Sequence, residues 1–191
     1  LTFITAGLLR PTKGIEAFLT ALANVRNHLG SFSYVICDMN HPRNAESVEY
    51  RERILQLVSQ HGLQANVMFV DRYVAADELV RWIQASDVGV FTYTAAEQSS
   101  SGVLALVIAC GRPVITSDFQ AARALLSPAN GFVIPMGDAL GLERAIVTIA
   151  QDHSLRRAMM ANNWRMARDW MWPIVARRHV ETVEAMDVIK R

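Results

Sequence analysis

Two short stretches hold residue types that could do chemistry together. The first, "GLLRPTKG" at residues 7–14, sets two cations, Arg10 and Lys13, between two glycines, Gly7 and Gly14. The second, "TAAEQSSSG" at residues 94–102, offers the amide of Gln98 and the hydroxyls of Ser99, Ser100 and Ser101, and runs through Gly102 into the apolar "VLALVIAC". As a helix, that apolar segment has no polar face and is expected to be buried on all sides. Its N-terminus then emerges from the core at the serines, with its first backbone amides pointing outward. Such an end carries roughly half a positive charge and favours phosphate. Each feature also has a plainer reading. A lone loop lysine is usually solvated, a serine ahead of a helix is usually a cap contributing about 1 kcal/mol, and a glycine closing a strand is usually a turn. A seat for an anion follows only if the fold brings the two stretches to one place.

The elements around them are legible from hydrophobic pattern. Strand candidates are "TFITAG" (2–7), "SYVICD" (33–38), "NVMFVD" (66–71), "DVGVFTY" (87–93), "PVITSD" (113–118) and "GFVIP" (131–135). Most are continuously apolar rather than alternating, as in strands covered on both faces. Between them, Ile15, Phe18, Leu19, Leu22, Val25 and Leu29 trace one helical face. So do Ile54, Leu57 and Val58, then Leu79 and Ile83, and later Leu142, Ala145, Ile146 and Ile149. The alternation predicts an α/β fold, a doubly wound six-stranded parallel sheet. Ligands of such sheets bind beyond the carboxyl ends of the strands, where the strand order reverses. For the common order 3-2-1-4-5-6, strands 1 and 4 are neighbours at that crevice, and the loops that follow them are the two polar stretches. Their convergence favours the anion over the plainer readings, and a diphosphate lying between the loops is its natural form.

Composition narrows the class. Nineteen lysines and arginines against 18 acids leave a net charge of +1, so nothing predicts non-specific binding to nucleic acid. No run of about 18 apolar residues predicts a membrane-spanning helix. The two cysteines, Cys37 and Cys110, lie in apolar runs and read as buried, inert thiols of a reducing compartment. The expected location is cytoplasmic, at most peripheral to a membrane. The chain begins inside a strand and without an initiator methionine, as an excised part of something longer would. The five histidines are scattered without ligand spacing, so no metal is expected. Of these, His41 follows strand 2 on the ligand side of the sheet. A nucleophile elbow, a Walker loop and a G-x-G-x-x-G fingerprint are missing, which argues against a hydrolase of that type, an NTPase or a dehydrogenase. From residue 153 to 191 the strands stop, and the sequence reads as two or three helices broken at Pro173, packing on the domain formed by residues 1–152. Met159, Met160, Trp164, Trp170 and Trp172 are expected to be the packing residues of that tail.

The stretches "GLLRPTKGIEAFLTAL", "VMFVDRYVAADELVRWIQASDVGVFTY", "SSSGVLALVIACGRPVITSD" and "NGFVIPMGD", in this order and spacing, resemble the C-terminal half of family 4 glycosyltransferases of the GT-B fold. The resemblance implies transfer of a sugar from a nucleoside-diphosphate sugar, with retention at the anomeric carbon and without a metal or other cofactor. It implies that this half holds the donor, and that an N-terminal domain absent from the chain brings an acceptor, whether saccharide, lipid or other. Gly7 and Lys13 would contact the diphosphate, and Arg72 and Tyr73 would approach the base through their backbone. Lys13 and the amides of Ser100, Ser101, Gly102 and Val103 would meet charge building on the leaving diphosphate, and Gln98 would reach sugar hydroxyls. Two positions depart from the family pattern. Leu8 stands where many members carry an arginine, with Arg10 as a substitute cation. Gln98 and Leu106 stand where a glutamate pair is usual; Glu97 is one residue too early, with Ala105 as its partner position. A leucine cannot hold a ribose through its hydroxyls. The leading expectation is therefore a donor-binding domain that is inactive in isolation, since a two-domain enzyme closes around its substrates. The alternative is a catalytically degenerate domain that binds a nucleotide or a partner. If the tail belongs against the missing half, its aromatic residues should be exposed.

Overall fold

The apolar runs form one parallel sheet. The computed structural model describes residues 1–38 and 45–189. Its strands are β1 (Thr2–Gly7), β2 (Ser33–Asp38), β3 (Val67–Asp71), β4 (Val88–Phe91), β5 (Val114–Ser117) and β6 (Gly131–Ile134). They stand in the order β3-β2-β1-β4-β5-β6, with every neighbouring pair parallel. Both the strand positions and the 3-2-1-4-5-6 order agree with the sequence reading. Observed strands are shorter by up to three residues at their ends, most of all β4, which stops before Thr92 and Tyr93.

The helices are α1 (Ile15–Val25), α2 (Ala45–Gln60), α3 (Ala76–Ala85), α4 (Gly102–Ala109), α5 (Gln120–Leu125), α6 (Ala139–Gln151), α7 (His153–Arg168) and α8 (Trp172–Ile189). Successive strand residues point to opposite faces. Phe3, Tyr34 and Val90 therefore join a core with α1, α2 and α6, while Ile4, Val35 and Phe91 join a second core with α3, α4 and α5. Both faces are dry, which is why the strands show no polar alternation.

Helix α4 is apolar all round because it is sandwiched. Leu104, Val107 and Ile108 are buried against the sheet, and α7 packs over the helix from outside. Burial is not complete: Val103, Leu106 and Cys110 are only partly covered, though they pack on the same apolar cluster.

The tail differs from expectation in two respects. Its break falls at residues 169–171, and Pro173 lies in the first turn of α8, where a missing N–H costs no helical bond. Met159 is buried and Trp170 partly so, but Trp164, one edge of which lies near Gly111, is 61% exposed and Trp172 80%, so neither is a core residue within this chain. On α8, Val180, Val183 and Met186 are exposed as well. Among the described residues no helix is long and apolar enough to cross a membrane.

Helix α7 is tied in by Asn163, fully buried, whose Nδ2 donates to the carbonyls of Arg112 (2.8 Å) and Asn130 (2.9 Å) at the entrances to β5 and β6. Asn163→Ala strands both carbonyls, and the expected loss is about 2–3 kcal/mol, to be read from urea unfolding.

Candidate functional site

The site begins where β1 and β4 lie side by side, with Phe3 opposite Val88 and Ile4 opposite Gly89. Leaving β1, the backbone turns out of the sheet at Gly7 (φ 119°) and enters a short 3-10 turn, Pro11–Lys13, which Gly14 closes in the left-handed conformation (φ 59°). This loop lies directly on the exit of β4. Thr94 N donates to Thr12 O (3.0 Å), and Thr92 Oγ1 donates to Lys13 O (3.3 Å). Gly14 approaches so closely that a Cβ there would sit 2.0 Å from the Thr92 carbonyl oxygen. Glycine is thus required twice over, for its φ and for its missing side chain.

The loop after β4 is anchored on its other flank. Gln120 N donates to Ala96 O (2.9 Å) and Ala121 N to Gln98 O (3.0 Å), so the start of α5 holds residues 96–98. Ser101 then caps α4, its Oγ accepting from Leu104 N at 3.3 Å. The Gly102 and Val103 amides belong to the first turn, whose N–H groups have no partner within the helix.

Between the two loops lies an open cavity of about 360 Å³, lined by Gly7, Leu8, Lys13, Tyr93, Gln98, Ser100, Ser101, Gly102 and Val103. Lys13 crosses it. Its Nζ donates to Tyr93 Oη at 2.8 Å and lies 4.1 Å from the centre of the Tyr93 ring. A Cβ on Gly7 would come within 3.6 Å of Lys13 Nζ and 3.7 Å of Val103 Cγ2, so all three residues face one point. The first turn of α4 and the ammonium group therefore line the same cavity, an arrangement that suits a phosphate.

Several predicted residues do not turn their side chains to the cavity. The exposed side chain of Arg10 and that of Ser99 are not part of the lining; Arg10 contributes its carbonyl, which accepts from Lys13 N at 2.9 Å. The Gln98 side chain folds back, Nε2 donating to Ser100 O at 3.0 Å. Arg72 and Tyr73 follow β3, two strands from β1. Arg72 forms a two-point ion pair with Glu78, which also accepts from Trp82 Nε1 at 3.2 Å, and Tyr73 is 72% exposed. The hydrogen bonds from Arg72 hold the Glu78 carboxyl below the usual carboxylate range. His41 lies outside the described residues. Leu8, noted from sequence as standing where many members carry an arginine, lines the cavity, and so does Tyr93, which was not singled out from sequence. The signal for Tyr93 is a hydroxyl-bearing residue ending an otherwise apolar run.

A larger cavity of about 540 Å³ lies between α1 and the loop ahead of α6. Glu16, Asp138 and Glu143 line it with no lysine, arginine or histidine among the described lining residues, so it offers a diphosphate no cationic partner. Burial pushes the Cys37 thiol up to about 12, and burial raises Cys110 too, so neither favours its reactive thiolate form. Cys110 is partly exposed rather than buried. Among the described residues no group of three or more His, Cys, Asp or Glu side chains could hold a metal.

Residues 1–152 match the family model described as Glycosyl transferases group 1. The chain belongs to this family. Within the group 1 glycosyltransferases, it is 26% identical over 182 residues to the phosphatidyl-myo-inositol mannosyltransferase of Mycobacterium leprae (strain TN), covering 92% of this chain and 44% of that protein. Among solved structures, sucrose-phosphate synthase from Thermosynechococcus elongatus is similar with a TM-score of 0.82 at 23% identity, over 98% of this chain and 45% of that one. Anabaena Alr3699/HepE in complex with UDP and glucose has a TM-score of 0.80 at 21% identity, over 96% and 48%. The chain thus spans less than half the length of these relatives. Its fold is the Rossmann-like, C-terminal half of the GT-B glycosyltransferase architecture.

Gly14→Ala tests the contact that builds the site. It forces a Cβ into the Thr92 carbonyl and an alanine into left-handed backbone, for an expected loss of at least about 2 kcal/mol, measured by urea unfolding.

Proposed function

We propose that this chain is the donor-binding half of a retaining family 4 glycosyltransferase that takes its sugar from a nucleoside-diphosphate sugar. The observation that carries the reading is the convergence of Lys13 and the first turn of α4 on one cavity at the carboxyl edge of β1 and β4. The match to the group 1 glycosyltransferases supports sugar transfer. The UDP and glucose bound by Alr3699/HepE support a nucleotide-sugar donor.

In this reading the diphosphate lies between Lys13 Nζ and the amides of residues 100–103. As the sugar departs, negative charge grows on the diphosphate, and these fixed donors stabilise it where it grows. No protein nucleophile is needed, and the cationic work falls to Lys13 and the helix end. The nucleoside runs toward the end of β3. Two strand spacings, about 10 Å, separate β1 from Arg72 and Tyr73, the span from a diphosphate to its base. Gln98 turns from Ser100 to meet sugar hydroxyls. The acceptor is brought by the other half of a longer protein, and the exposed apolar residues of α8 and Trp172 pack against that half. Free, largely buried thiols fit a reducing, cytoplasmic setting.

One observation favours a second reading. Leu106, at the position of the usual second glutamate, packs on an apolar cluster, so α4 offers no carboxylate for a ribose. A domain that binds a nucleotide without transferring a sugar would tolerate this.

Two measurements test the proposal. Calorimetric titration should detect binding of UDP or GDP, weakened about tenfold or more by Lys13→Ala, the worth of a charged hydrogen bond. Binding of neither nucleotide, or binding indifferent to Lys13, defeats the reading. Product assays should detect no sugar transfer by this chain alone; transfer by the longer protein separates the enzyme from its nucleotide-binding alternative.

A further inference from the structure

Tyr93 stands at the centre of the site, yet the chemistry above gives it no part. Its side chain is 1% exposed, and its ring is held edge-on by Phe91 (centroids 5.8 Å apart, 90°) and stacked on Phe119 (4.8 Å, 27°). A ring clamped in this way leaves the hydroxyl one freedom, rotation of its own proton. A buried phenol also needs partners for that hydroxyl. One is Lys13, whose ammonium donates to Tyr93 Oη at 2.8 Å; the other is Ser101 Oγ, at 3.4 Å. Since an ammonium can only donate, Oη accepts from Lys13, and its own proton has Ser101 Oγ within reach. That second bond is long, and Ser101 Oγ already accepts from Leu104 N. The phenol proton is therefore weakly held, in a group made a better donor by accepting from a cation.

We infer that Tyr93 is a further ligand of the diphosphate: it fixes the Lys13 ammonium and turns its own O–H from Ser101 to a phosphate oxygen. The inference rests on the reading of this cavity as a diphosphate seat and adds a specific donor to it. Lys13 has two ammonium protons left for the ligand once one is given to Tyr93. The phenol supplies a third bond from beside the ammonium group, next to the N-cap of α4. The ligand class is any diphosphate, so inorganic pyrophosphate as well as UDP should respond to the hydroxyl, and uridine should not.

Tyr93→Phe removes the hydroxyl and keeps the ring, its stacking on Phe119 and its contact with Lys13. In calorimetric titrations the variant should bind UDP and pyrophosphate about tenfold more weakly, while any affinity for uridine and the melting temperature are unchanged. In a Lys13→Ala background the same substitution should cost under about threefold, because the two groups act as a unit. If Lys13→Ala abolishes UDP binding while Tyr93→Phe binds within about twofold of the parent, the seat stands and Tyr93 is packing only. Equal losses for uridine and UDP also overturn the inference, since they report a distorted site rather than a missing donor. If the parent chain binds neither nucleoside diphosphates nor pyrophosphate, the seat itself is refuted and the inference goes with it.

Discussion

The backbone of Gly14 rests on the backbone of Thr92, and this contact decides where everything else in the site can be. Two parallel strands with no direct connection, β1 and β4, deliver their loops to one edge of the sheet, but adjacency alone leaves several ångströms of play. The hydrogen bonds from Thr94 to Thr12 and from Thr92 to Lys13 remove it. Lys13 then emerges from a 3-10 turn whose last residue is pinned at its carbonyl, and its long side chain has a fixed base from which to reach Tyr93. A flexible cation would lose side-chain entropy on meeting a ligand; one already engaged has lost most of it.

The second loop is held by the start of α5 at residues 96–98 and, beyond them, by the burial of α4. An eight-residue helix with no polar face cannot lie on a surface, so α4 is trapped between the sheet and α7 with its axis set by packing. Its N-terminus is the one part that must surface, and Ser101 completes it there. Gly89 on β4 lets the helix come close: a Cβ would meet Val107 Cγ1 at 2.5 Å. The first turn of α4, which lines the cavity, is consequently carried by a rigid element, as precise placement of donors demands.

Much of this was readable in the sequence because it depends on pattern. Continuous apolar runs reported strands covered on both faces, and alternation with helical periods reported the parallel sheet. The reversal of strand order then brought residues 7–14 and 94–102 together. What was not readable depends on particular partners. Tyr93 looked like the last residue of a strand; only the lysine across the cavity gives its hydroxyl a meaning. Arg10 and Lys13 are equivalent cations in sequence, and only the direction of the turn separates an exposed side chain from one in the cavity. Trp164 and Trp172 have the composition of core residues, yet the surfaces against α7 and α8 do not cover them. Pro173 was read as a break and is a start, a distinction that rests on one turn of helix.

The electrostatics of the chain show why so much structure is spent on one ammonium group. With a net charge of +1 the molecule has no field with which to draw an anion from a distance, and salt screens what remains beyond about 8 Å. An anion bound at this edge would therefore have to be recognised at contact. Of the cations the sequence offers near this edge, Arg72 is taken by Glu78 and Arg10 lies outside the cavity. Among the described residues lining the cavity, Lys13 is the one that carries a charge. The other positive contribution, the end of α4, is a sum of partial charges that fades within a turn. Two weak, short-range sources match a doubly charged group only if they are held against the same few ångströms of space, and the contact between Gly14 and Thr92 is what holds them there.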